Sequence, residues 1–196
     1  MFDRPVAILL AAPRCPAALR SRPCPSMLES TEVLLSLAEV SAAFAGFAAL
    51  VSVIPRGLGQ AAAPGHDVLR LRLVISSGVA GVAAALIPVA LAGYLDTQWV
   101  WRISALVFLV FDNSIILSFI GAYQPVRGDF DPDRLAVTVV TALELVEQAS
   151  LVTILLGLGS VAPASLYITA LIANICQAGF VFVRFVGSTF DHKNAE

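Results

Sequence analysis

Five times along this chain a run of more than twenty residues passes with no more than two charged side chains. A helix of about 20 apolar residues matches the roughly 30 Å hydrocarbon core of a bilayer. It also meets its backbone hydrogen bonds internally, which lipid demands. The runs therefore predict membrane-spanning helices at about 33–54, 69–93, 99–121, 135–157 and 164–187. Composition agrees: of 196 residues, 58 % are hydrophobic and 13 % charged, too apolar for an ordinary soluble domain. The expected fold class is all-α, an integral membrane helical bundle of about five transmembrane helices occupying residues 27–190.

The segment ahead of the first run differs in kind. Residues 1–26 hold five of the eleven prolines and four of the eleven arginines. Their apolar stretch, 6–12, is shorter than a span, and Arg14 interrupts a small-residue cleavage pattern. The segment reads as a disordered tail or a misassigned upstream extension, with Met27 as the cleaner start, and less well as a processed signal. The 55–67 and 124–134 stretches, rich in Gly and Pro or in Asp, read as loops.

Small residues recur at helical spacing. Ala38, Ala42, Ala45 and Ala49 form one such face in the first span, and Ser77, Gly81 and Ala85 form one in the second. Such faces let helices approach closely. Pro88 should kink the second span. Tyr94, Trp99 and Trp101 read as an interfacial aromatic belt, and Cys176 as a small packing residue.

The polar residues inside the runs carry what functional signal there is. Glu39 and Arg102 both fall near the outer end of their spans. They are expected either as an ion pair tying the first helix to the third or as an outer charge exchanging with substrate. Asp112 and Asn113 sit near the middle of the third span. Glu144, Glu147 and Gln148 cluster on one face of the fourth, and Asn174 and Gln177 share a stripe of the fifth. Two acids costing about 2.5–3.5 kcal/mol each make the fourth span marginal alone. The alternative, an interfacial helix over 134–148, leaves too short a remainder to cross. Asp112, Glu147, Asn174 and Gln177 share one depth. They read either as polar contacts between helices or as a proton or cation pathway, where acids flanked by amides bind and release a positive ion.

Absent features exclude function classes. The one lysine, Lys193, lies in the tail, so no intramembrane Schiff base can form. His66 and His192 lie outside the runs, which removes haem ligation between spans and a His-rich metal site. Cys15, Cys24 and Cys176 make no CxxC, and phosphate-binding glycine motifs are missing. No catalytic residue, metal ligand or cofactor-binding residue is assigned, no cofactor is expected, and an enzyme is the least favoured class. A formal net charge of −2 argues against nucleic acid as a partner. The expected partners are the lipid bilayer and a second copy or another membrane protein.

With five spans, Arg56, Arg70, Arg72, Arg127, Arg134, Arg184 and Lys193 fall on one side, against Arg102 on the other, joined by four arginines if residues 1–26 are translated. The positive-inside rule then places the C-terminus in the cytoplasm. The sequence Ala38-Glu39, four residues, Phe44-x-Gly46-Phe47, with Arg70-x-Arg72 and Trp101-Arg102 at the start of the third span, resembles a group of small bacterial multi-pass membrane proteins. That group has no assigned activity, so the resemblance implies an inner (plasma) membrane location and carries over no functional residue. The expected function is a small channel or transporter for protons, cations or a small solute. The alternative is a non-catalytic membrane subunit or scaffold binding partner helices.

Overall fold

The computed structural model describes residues 25–53, 65–124, 134–158 and 161–191. These form five helices: α1 (Pro25–Val53), α2 (Gly65–Leu91), α3 (Thr97–Tyr123), α4 (Arg134–Leu156) and α5 (Pro163–Asp191). Among the described residues the protein is all-α, as expected. Every helix contains a stretch long and apolar enough to cross a membrane, with mean hydropathy from 1.7 to 2.1. That is the make-up of a multi-pass membrane protein. The sequence-based reading of residues 1–24, and of most of the two loops, lies outside the described residues. α1 already starts at Pro25, inside the segment read as a tail. Proline suits a first helical position, where its missing N–H would have had no acceptor.

α5 is the hub. It packs against all four other helices, while the most extensive single interface joins α1 to α2. That interface is built from small residues, including two of the four alanines expected on α1, Ala38 and Ala45. Ala42 and Ala49 face outward, and the buried face is Leu34, Ala38, Ser41 and Ala48. Opposite it, the α2 ladder of Ser77, Gly81 and Ala85 is buried as expected. A Cβ on Gly78 would sit 2.9 Å from the Ala45 Cβ and 3.1 Å from the Ser41 carbonyl oxygen. Glycine therefore fixes the closeness of the approach.

The outer faces are apolar too. Leu50, Leu117, Leu145 and Val183 are each about two-thirds exposed (65–70 %). Water would penalise so much exposed aliphatic surface, whereas acyl chains do not. The interior adds aromatic and polar groups to a core of alanine and aliphatic side chains. Tyr167 of α5 is fully buried, its ring 5.6 Å from that of Trp101 and 6.1 Å from that of Phe108. Trp101 is thus a core residue and not part of an interfacial belt, while Trp99 and Tyr94 do lie exposed. Cys176, expected to pack, is exposed.

The Tyr167 hydroxyl donates to the backbone carbonyl of Ala84 at 2.7 Å. Ala84 is four residues before Pro88, the proline inside α2. Proline has no N–H to give the carbonyl four residues back. An orphaned carbonyl is expensive at membrane depth. Tyr167 supplies the missing donor from the neighbouring helix, so the break that Pro88 makes in α2 becomes a tie between α2 and α5.

Candidate functional site

Each helix contributes one buried polar residue to a layer near its middle: Ser41, Ser77, Asp112, Glu147 and Asn174, from α1 to α5 in order. Ser77 Oγ donates to Asn174 Oδ1 at 3.2 Å. Ser41 and Asn174 meet around Gly81. A Cβ there would lie 2.9 Å from Ser41 Oγ and 3.4 Å from Asn174 Oδ1. Asn174 also lies beside Glu147, with no hydrogen bond that satisfies both distance and angle.

The acids gather where α3 and α4 face α5. One carboxylate oxygen from each of Asp112, Glu144 and Glu147 lies within 4.8 Å of the other two. Amides bind part of this charge. Gln148 Nε2 donates to both Asp112 Oδ2 and Glu144 Oε1 at 2.7 Å. Gln177 Nε2 approaches Glu144 Oε2 at 3.3 Å. Asn113 Nδ2 reaches Gln148 Oε1 at 3.3 Å and the Leu109 carbonyl at 2.8 Å. The 144/147/148 spacing puts all three side chains on the inner side of α4, and 174/177 does the same on α5.

Glu147 stands apart. Its side chain is fully buried (0 % exposed), and neither carboxylate oxygen makes a hydrogen bond of full geometry, although the Asn174 side chain stands beside it. The buried oxygen Oε1 of Gln177 also lacks a donor. Among the described residues no arginine, lysine or histidine pairs with the three acids. A small cavity of ≈ 20 Å³ adjoins them, lined by Asp112, Gln177 and Ser77 among apolar neighbours. That is about the room one water needs. A larger lateral groove of ≈ 230 Å³ between α2 and α3 is lined by Arg72, Ser76, Ser114 and Ser118 among apolar residues, and the Ser76 and Ser114 hydroxyls hydrogen-bond their own helix.

The residues singled out from sequence therefore divide. Asp112, Asn113, Glu144, Glu147, Gln148, Asn174 and Gln177 come together. Glu39 and Arg102 do not join them, nor each other. Glu39 is exposed on α1, and α1 packs on α2 and α5 rather than closely on α3, which carries Arg102. The expected ion pair is absent for that reason. Arg102 turns instead to the end of α4, with Nη2 2.9 Å from the place a Cβ would occupy on Gly157, the left-handed residue (φ 66°) that ends the helix. The carbonyl end of α4 is the negative end of the helix dipole, which a guanidinium complements. Its charge also lies 5.9 Å from the Trp99 ring centre.

Tyr167 and Ser41 were not singled out as site residues. The signal for Tyr167 was present, since a proline deep in an apolar run predicts an orphaned carbonyl one turn earlier. Which donor answers it depends on tertiary packing. Comparison with protein-family models, with curated proteins and with solved structures gives no match. The geometry itself defines the class: a five-helix bundle compatible with a multi-pass membrane protein, with an acid-rich polar layer at mid-depth.

Proposed function

We propose that this protein is a small transporter or channel for a cation, proton or metal ion, and that the polar layer around Glu147 is where the ion rests. One observation carries the reading. A fully buried carboxylate with neither oxygen hydrogen-bonded is expensive at membrane depth and contributes nothing to packing that leucine would not. Acids flanked by amides in discontinuous polar layers are the ordinary means of holding a positive ion inside a bilayer.

The scaffold reading has less support. Its argument was the small-residue faces, and the ladder of α2 is already used against α1 and α5 within the chain. The arginine distribution favours a C-terminus on the cytoplasmic side of a bacterial inner membrane. Reconstitution into liposomes tests the function. Purified protein should raise the flux of protons or of at least one cation above protein-free vesicles, and Glu147→Gln should abolish the increase. No flux for any ion, with the protein inserted and folded, would favour the scaffold.

A further inference from the structure

The cation reading leaves the ion's class open, and the same site narrows it. We propose that Asp112, Glu144 and Glu147 jointly bind one divalent, oxygen-preferring cation of the magnesium, manganese or calcium kind. The inference rests on the cation reading above and goes beyond it.

The spacing comes first. A divalent ion held at about 2.0–2.6 Å by oxygen ligands places those ligands no more than about 4–5 Å apart. Oxygens from the three carboxylates already lie within 4.8 Å of one another, so a small adjustment of the side chains, with no helix movement, brings all three onto one ion. Their convergence comes from two helices, with α5 closing the far side.

The second observation is independent of the clustering. Glu147 is wholly buried, neither of its carboxylate oxygens makes a hydrogen bond of full geometry, one of them faces the other two acids, and Gln177 Oε1 is likewise unbonded. These are acceptors left without a full hydrogen bond, as a cation's ligands are. A single proton would answer one oxygen and leave the others. Adjacent to them, the ≈ 20 Å³ cavity lined by Asp112 and Gln177 has room for one water, which a six-coordinate ion of this class commonly retains.

Charge and ligand type then select among ions. Three carboxylates around a monovalent ion leave two negative charges at mid-membrane. A divalent ion leaves one, against which the Gln148 and Gln177 amide N–H groups already point. The donors are all oxygen, and the exposed Cys176 is no member of the group. Hard cations are favoured over zinc or copper.

The probe is Mn²⁺, read by electron paramagnetic resonance on purified protein in detergent. The expected result is one bound Mn²⁺ per chain, displaced by excess Mg²⁺ or Ca²⁺. Glu147→Gln and, separately, Asp112→Asn should each weaken binding about tenfold or more. Glu39→Gln, on the outer face, should leave it unchanged. Two conservative variants guard against one that fails to fold, and circular dichroism with size-exclusion chromatography checks each. Folded protein that binds no Mn²⁺, or binds it equally in both site variants, overturns the divalent assignment. If such protein still carries a Glu147-dependent proton flux in liposomes, the transport reading survives and only the ion class falls. If it carries no flux of any ion, both fall.

Discussion

Two buried polar points lie on one face of α5, seven residues or about 10 Å apart, and they are treated in opposite ways. At Tyr167 a polar defect is answered: Pro88 strips the Ala84 carbonyl of its helical donor, and the tyrosine hydroxyl replaces it at 2.7 Å. At Asn174 the neighbouring defect is left open. Glu147 stands beside it, fully buried, with neither carboxylate oxygen in a hydrogen bond of full geometry. A bundle able to place a donor so exactly over one carbonyl is not short of means to satisfy a carboxylate. The contrast separates structure, where polar groups are paired, from a site, where they are kept free for something that arrives.

The contrast makes predictions of opposite sign. Glu147→Leu removes an unpaired buried acid and keeps the volume, so thermal stability in detergent should rise, by about 1–4 kcal/mol if buried ionic groups elsewhere are a guide. A drop in melting temperature would break the comparison. Tyr167→Phe strands the Ala84 carbonyl and should cost about 1–3 kcal/mol. Adding Pro88→Ala restores a backbone N–H for that carbonyl, so the double variant should regain part of the loss. If Pro88→Ala and Tyr167→Phe prove additive, the hydroxyl is not answering the proline.

Smaller effects sharpen the picture. Gly81→Ala pushes a methyl to 2.9 Å from Ser41 Oγ and 3.4 Å from Asn174 Oδ1. Overpacking costs about 1–3 kcal/mol and alanine returns up to about 1 in helix propensity. A net loss near 1 kcal/mol is expected, with the polar layer displaced. For Glu39→Gln and Arg102→Gln the expected coupling is nil. The two losses should add within about 0.5 kcal/mol, because the helices that carry them do not pack closely on each other. A larger coupling, measured by the same thermal melts, would place the two side chains in contact.

How much of this was legible beforehand follows from the range of the forces involved. Helix positions depend on local hydropathy, and all five runs became helices, with the start of α1 moved eight residues to Pro25 and that of α5 one residue to Pro163. The inward faces of α4 and α5 follow from helical spacing, so Glu144, Glu147, Gln148, Asn174 and Gln177 could be grouped from their numbers alone. Their junction with Asp112 needed only a shared depth. Pairings that depend on which helices are neighbours were not legible. Glu39 and Arg102 match in depth and are opposite in sign, yet α1 packs on α2 and α5, and depth says nothing about that. Trp101 failed for a related reason: an aromatic at a helix start looks the same whether it turns to lipid or to Tyr167.

The central claim is that Glu147 is kept for an ion and Tyr167 for the fold. Ion flux into proteoliposomes, measured in parallel for wild type, Glu147→Gln and Tyr167→Phe at matched incorporation, tests it most directly. The account predicts that Glu147→Gln abolishes flux while its melting temperature holds or rises, and that Tyr167→Phe retains flux while its melting temperature falls. Wild-type flux in Glu147→Gln would contradict it.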